Sequence, residues 1–284
     1  MIRRVFGGIN MLSKRQQFMH TVNEYEEIFQ CPICREAMQL SSLGQLQCEK
    51  RHAFDIAKQG YLNFLQKPIQ SMYSKELFEA RYKVISSGLY DEVQQEIASI
   101  MDEGTVLDTG CGEGSHLARI LTYKQSSIGV GIDIAKEGII SAAKFNNGQI
   151  WAVADLAKSP FQQESFQSVL NFLSPANYSE FKRLLKPSGK LIKVIPGENY
   201  LHQLRTQAFA GSEKETYSNE QTIERFKEQF EKVSVKQLTY TKSLSSELAK
   251  NLIQMTPMGW HVDHKEQLKL DEITIDVHIL CGEK

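Results

Sequence analysis

Four residues near the N-terminus have the types and spacing to hold a metal ion: Cys31 and Cys34 in C-P-I-C, then, after thirteen residues, Cys48 and His52 in C-x3-H. Two close pairs on a short spacer suit tetrahedral zinc, because each pair grips the metal from one turn while the spacer folds back. Four protein ligands leave no position open for water or substrate, so the site reads as structural. The spacer, REAMQLSSLGQLQ, has apolar residues on both sides of Ser41, Ser42 and Gly44 and reads as a β-hairpin. Beyond His52, AFDIAKQGYLNFL reads as a closing strand and turn or as an aromatic platform for stacking bases, with packing the simpler account of Phe54 and Leu62.

A second constellation lies in GTVLDTGCGEGSHLARIL, residues 104–121. A short β-forming run ends in Asp108, the glycines Gly110, Gly112 and Gly114 follow, and SHLARIL has the apolar spacing of a helix. Strand, glycine loop and helix in that order open a βαβ unit whose backbone can approach a nucleoside closely. A pyrophosphate calls for G-x-G-x-x-G at a helix N-terminus; here the pattern is D-x-G-x-G-x-G, with Asp108 and Glu113 in the loop. Negative charge repels pyrophosphate and suits a sulfonium and an α-ammonium, so S-adenosylmethionine (SAM) fits where NAD does not. SIGVGID (127–133) ends in Asp133, placed to accept from both ribose hydroxyls, and QIWAVAD (149–155) ends in Asp155, within reach of an adenine amino group. Three successive strands ending in Asp point to a ligand along the carboxyl edge of a parallel sheet.

The elements needed to hold these groups are legible downstream. SVLNFL (168–173) reads as a fourth strand, YSEFKRLLKPSG as a helix with a stop, KLIKVIP as a fifth strand, 219–230 as an amphipathic helix, VSVKQLTYT as a sixth strand, and ITIDVHI (273–279) as a seventh, antiparallel edge strand. The expected fold is α/β: a class I, Rossmann-like methyltransferase with a seven-stranded sheet and a small N-terminal zinc-ribbon domain. The expected organisation is a tail over 1–24, the zinc ribbon over 25–66, a helical linker over 67–100 and the methyltransferase domain over 101–284.

Composition narrows the partners. The 284 residues are 41% hydrophobic and 24% charged, with no apolar run near the ~20 residues of a membrane span. The first twenty residues are basic but have no continuous apolar segment or cleavage site, and five cysteines, three of them in the metal cluster, suit a reducing compartment; a cytoplasmic protein is expected. Net charge is −1, yet residues 1–90 hold 12 lysines and arginines against 8 acids, a mildly basic front that would suit nucleic acid.

Together these segments resemble one family along the chain from about Cys31: the large-subunit rRNA (guanine-N1)-methyltransferases of the RlmA type, which join a zinc ribbon to a class I methyltransferase domain. The resemblance is carried by CPIC with CEKRHAFDIAKQGYLNFL, EARYKVISSGLYDEV, LDTGCGEG, GIDIAKEGIISAAK, LLKPSGKLIKVIPG and QMTPMGW. It implies that Cys31, Cys34, Cys48 and His52 ligate zinc, that the ribbon helps recognise a hairpin of 23S rRNA, and that members pair as homodimers. It places Tyr90 over the cofactor and adds His116, Leu117 and Tyr200 as cofactor contacts; the family often has His at the last position. Where the family has Pro-Gly-Gly, this chain has Pro187-Ser188-Gly189. One branch of the family is linked to macrolide resistance.

A guanine N1 carries a proton at neutral pH, so the base must be flipped, held edge-on to the methyl group and relieved of that proton. NFLSPAN (171–177) follows the fourth strand, and its Asn171, Ser174 and Asn177 are expected at the guanine edge, with Asn171 and Ser174 the catalytic candidates. No covalent nucleophile is needed, and Cys111 reads as a packing residue. Two rival readings are a methyltransferase of a small molecule whose zinc knuckle is only a staple, and a zinc RNA-binding protein whose second domain is a scaffold. The intact Asp108, Gly110, Gly112 and Asp133 speak against the scaffold.

Overall fold

The computed structural model describes residues 12–67, 69, 72–209, 217–260 and 268–284. Eleven strands are formed among them: β1 (Met38–Leu40), β2 (Gln45–Cys48), β3 (Ala53–Asp55), β4 (Leu62–Asn63), β5 (Thr105–Thr109), β6 (Ile128–Asp133), β7 (Ile150–Val153), β8 (Phe166–Phe172), β9 (Leu185–Pro196), β10 (Lys232–Ser243) and β11 (Glu272–Glu283). The first three make a small antiparallel sheet, and the other eight form one sheet in the order β10-β11-β9-β8-β5-β6-β7-β4. Strands β4 to β9 run parallel, and β11 lies antiparallel between β9 and β10.

Two expectations about this sheet are corrected. The alternating 273–279 run is antiparallel but internal; β10 is the edge, and its mostly exposed residues show the solvated pattern of an edge strand. The sheet also has an eighth strand, because the end of the ribbon pairs in parallel with β7 (Leu62 with Ala152, Asn63 with Val153).

Among the described residues, ten helices connect and cover the strands: α1 (Lys14–Glu24), α2 (Lys75–Ser86), α3 (Asp91–Ile100), α4 (Ser115–Leu121), α5 (Lys136–Phe145), α6 (Tyr178–Leu184), α7 (His202–Ala208), α8 (Glu220–Lys227), α9 (Ser246–Met255) and α10 (Pro257–Trp260). Neighbouring strand residues point to opposite faces, so the sheet has two cores. Val106, Leu170 and Ile192 join α3, α5 and α9 in one; Leu107, Val169 and Leu191 join α6 and α8 in the other. No helix among the described residues is long and apolar enough to cross a membrane.

The second core also contains Phe29, Met38, Leu46 and Phe54 of the ribbon. The expected tail is partly a helix: residues 1–11 lie outside the described residues, while Ser13 caps α1, a capping box with Gln16 closes its first turn, and Phe18 and Val22 are buried one turn apart. Lys14 fastens α1 to the methyltransferase half by donating from Nζ to the carbonyls of Ala143 and Lys144, each at 2.9 Å. The expected linker is two helices, α2 and α3, joined by a turn in which Gly88 takes a φ of +85°.

Candidate functional site

The site is built first by the glycine loop, where β5 ends. Gly110, Gly112 and Gly114 have φ of +75°, +58° and +74°, a region disfavoured for residues with a Cβ. Space is as restrictive as torsion: a Cβ on Gly110 would lie 2.1 Å from Ser174 Oγ, and one on Gly114 would lie 2.4 Å from the Trp151 ring. The loop is tied to the end of β6 because Gly110 and Cys111 donate to the Ile132 carbonyl at 2.9 and 3.0 Å.

Asp133 is at the predicted strand end, with an engagement the sequence did not reveal. Its Oδ2 accepts from Gly112 N and its Oδ1 from Ala135 N, both at 2.8 Å. The carboxylate thus holds the loop in shape and has lone pairs left for a further donor. Asp108 is 1% exposed, and its Oδ1 has no hydrogen-bond partner among the described residues. Burial pushes its carboxyl up to about 7; Arg81 opposes that, while Asp133 and Glu113 add to it. A buried acceptor without a donor is costly unless something completes it, and a cationic ligand group would do so.

Glu113, expected to offer charge to the cofactor, is instead fully buried and faces Arg81, with 2.7 Å between Oε2 and Nε. Arg81, on α2, falls within EARYKVISSGLYDEV, where sequence spacing gives it no role. The only local signal was an arginine set among the apolar positions of a helix.

An aromatic wall stands beside the loop. The hydroxyls of Tyr90, at the start of α3, and Tyr200, after β9, are 2.7 Å apart, and both residues are buried. His116 stacks on Phe172 at 3.7 Å and meets the Tyr90 ring edge-on at 5.2 Å. Burial, with Arg81 nearby, holds His116 well below the usual histidine range, so it is neutral and its Nδ1 can accept from Gln94 Nε2 at 3.1 Å. Tyr90, His116 and Tyr200 are thus brought together as a group with Arg81 and Asp108 near them. Two other candidates stand apart. Leu117 packs in the core, 3.0 Å from where a Cβ on Gly129 would be, and Asp155 caps the short turn Leu156–Lys158 by accepting from Ala157 N at 2.9 Å.

The loop after β8 departs further from expectation. Asn171 is buried and engaged inside the protein: Nδ2 donates to Thr109 Oγ1 at 3.1 Å and to the Pro175 carbonyl at 2.9 Å, and Oδ1 accepts from Lys193 Nζ. Asn177 caps α6 by accepting from Glu180 N at 3.2 Å. The Asn171 side chain is thus spent inside the protein, and the Asn177 oxygen is spent on the helix cap. Ser174 is half-buried against Gly110, and its carbonyl accepts from Lys193 Nζ at 2.9 Å. Lys193, which sequence reasoning missed, is 5% exposed, and burial lowers its ammonium to about 8. Its signal was a lysine in the middle of the apolar run Leu191–Ile195.

At the other end of the described chain, the ligand atoms of Cys31, Cys34, Cys48 and His52 all lie within 4.8 Å of one another. Cys31 Sγ is 3.4 Å from His52 Nδ1, Cys48 Sγ is 3.5 Å from the same atom, and Cys34 Sγ is 3.6 Å from Cys48 Sγ. A tetrahedron with Zn–S bonds of ~2.3 Å has S···S edges of about 3.8 Å and slightly shorter S···N edges, which these distances match. Each pair sits on a tight turn: Arg35 N donates to the Cys31 carbonyl at 2.9 Å and Arg51 N to that of Cys48 at 2.8 Å. Arg35 and Arg51 adopt φ of 63° and 64° to close those turns. The donor set fits zinc, and the orphaned Asp108 with its cationic requirement fits SAM.

Family comparisons agree with this division. The family model described as RlmA, N-terminal matches residues 29–75, and one described as Methyltransferase domain matches residues 106–189. A Bacillus subtilis (strain 168) protein named "Putative 23S rRNA (guanine-N(1)-)-methyltransferase YxjB" is 40% identical over 274 residues, covering 90% of this chain and 97% of its own. The 23S rRNA (guanine(748)-N(1))-methyltransferase of Streptomyces fradiae is 28% identical, covering 87% and 93%. Among solved structures, the YcgJ protein of Bacillus subtilis superposes with a TM-score of 0.46 at 14% identity, over 72% of this chain and 98% of that one.

Proposed function

The chain belongs to the RlmA-type 23S rRNA (guanine-N1)-methyltransferases, and from that membership we propose that it methylates N1 of one guanine in a hairpin loop of 23S rRNA, with its zinc ribbon aiding RNA recognition. The observation that carries the reading is the 40% identity shared with the Bacillus subtilis relative across 97% of that protein. SAM supplies an electrophilic methyl group on a sulfonium.

The chain's own residues then have separable tasks. Asp108 meets the α-ammonium, which completes its unpartnered Oδ1. Asp133, already fixed by Gly112 and Ala135, takes the ribose hydroxyls with its remaining lone pairs. The glycines let the backbone come close, and Tyr90, His116 and Tyr200 wall the pocket and exclude water. The base enters beside the 171–177 loop, whose shape Lys193 and Asn171 fix from behind, with half-buried Ser174 set against Gly110. Catalysis is chiefly positioning: the only cysteine at the loop, Cys111, is buried, and burial raises its thiol well above the usual range, so no thiolate nucleophile forms there. The ribbon contributes exposed Lys50, Arg51 and Lys58, cations able to contact phosphates of a folded hairpin. Action in the cytoplasm and assembly as a homodimer belong to the same proposal.

The test is methyl transfer from labelled SAM to 23S rRNA purified from cells lacking the protein. The expected product is one N1-methylguanosine, located by primer extension, which halts because the methyl occupies the pairing edge. Label appearing only in small molecules would replace this reading with that of a small-molecule enzyme. Macrolide sensitivity of cells with and without the protein tests the resistance link.

A further inference from the structure

Arg81 lies against the glycine loop with most of its donors unspent. It sits on the buried side of α2, one turn beyond Phe78, and its side chain is 21% exposed. Its Nε is 2.7 Å from Glu113 Oε2 and would lie 3.4 Å from a Cβ on Gly112, so the guanidinium rests directly on the glycine loop. Asp108, Tyr90 and Tyr200 are all close enough to act on its charge. Yet no hydrogen bond from either Nη atom is found among the described residues. An arginine has five N–H donors in a planar fork, and a single contact at Nε leaves the outer edge for a planar, two-oxygen acceptor.

We propose that this outer edge of Arg81 grips the α-carboxylate of the cofactor's methionine end, with Glu113 holding the guanidinium in place from the other side. The inference rests on the SAM reading and deepens it. Charge balance points the same way. The carboxylates of Asp108 and Asp133, with buried Glu113 behind the loop, suit the sulfonium and the α-ammonium but repel the carboxylate that the same molecule carries. Glu113 and Arg81 neutralise each other, Asp108 remains for the α-ammonium, and the unspent arginine donors meet the carboxylate. An arginine kept only to satisfy Glu113 would be indifferent to whether a ligand has a carboxylate.

That difference makes the test. Binding of S-adenosylhomocysteine and of its decarboxylated analogue, S-adenosyl-3-thiopropylamine, is measured by titration calorimetry on the full-length, zinc-loaded protein and on Arg81→Met and Arg81→Lys. The natural protein is expected to bind the carboxylate form about 10- to 100-fold more tightly than the analogue, the range of a charge-assisted, two-point contact. Arg81→Met should lose most of that factor on the carboxylate form and bind the analogue almost as the natural protein does. Arg81→Lys, a point charge without a fork, should fall between. Equal weakening of both ligands by Arg81→Met, or no discrimination by the natural protein, overturns the inference. If Arg81→Met does not fold, the natural protein's discrimination and the Arg81→Lys result decide it. Absence of binding of both ligands to the natural protein would overturn the cofactor reading itself.

Discussion

Asp108 holds a carboxyl at about 7 in the folded chain against 3.8 for an ordinary aspartate, with burial the main cause. The folded state therefore binds the proton more tightly than the unfolded state does. The stability this group contributes is complete below pH ~4 and is lost as pH rises through about 7, at ~1.4 kcal/mol per unit of difference. Asp108→Asn mimics the protonated form, so the cofactor-free variant should match the natural protein near pH 4 and exceed its stability by a few kcal/mol, on the order of the full linkage, at pH 8. Its affinity for SAM should fall at every pH. Urea unfolding and calorimetry across pH 4–8 check both halves; a constant stability difference would contradict the account. Lys193 gives a second prediction. Replacing it by Met leaves Asn171 Oδ1 and the Ser174 carbonyl without their donor, which should destabilise the protein by about 1–3 kcal/mol and lower kcat with little change in KM for SAM. Steady-state kinetics and urea unfolding read it. Residue types were legible where local spacing fixes them, as for Asp108 and the glycines. Partnerships were not: Asn171 looked like a free polar group because its partner, Lys193, is on the neighbouring strand 22 residues away.

Elements were legible from periodicity, and their neighbours were not. The alternation of 273–279 correctly indicated a strand with one face inward, but a period of two says which side chains share a face and nothing of which strands lie alongside. Hence β11 was expected at the edge and lies between β9 and β10. Residues 14–24 looked like a tail because KRQQFMHTVNE has only a thin apolar stripe; the helix depends on Phe18 and Val22 packing on the ribbon and on Lys14 reaching α5. A third case is Ser188, which stands where the family has Gly. It is exposed and takes a φ of +61°, a backbone region that costs an L-residue ~1–2 kcal/mol. Ser188→Gly should raise stability by about 0.5–1 kcal/mol after the greater flexibility of unfolded glycine is deducted. Thermal unfolding measures it, and an unchanged or lower Tm would contradict the strain.

At the scale of the molecule, the ribbon and the methyltransferase half do not behave as beads on a string. Phe29 bridges to Phe161 with ring centroids 5.6 Å apart, Gln30 N donates to the Pro160 carbonyl at 3.0 Å, and β4 extends the large sheet beside β7. Ribbon residues and residues of β6 and β7 share one core. Zinc removal frees four ligands that hold two turns of a domain too small to fold on its own core, so metal binding and folding are linked. Because β4 and Phe29 belong to that domain, its loss should uncover the β7 edge and one side of the second core. Chelator treatment, or Cys34→Ser, is therefore expected to lower Tm for the entire protein in one transition, seen alike by far-ultraviolet circular dichroism and by tryptophan fluorescence, to which Trp151, on β7 under the glycine loop, contributes. SAM should restore part of the lost Tm, because it binds the folded half alone. A methyltransferase transition that kept its midpoint while the ribbon melted separately would show that the shared core is not energetically continuous.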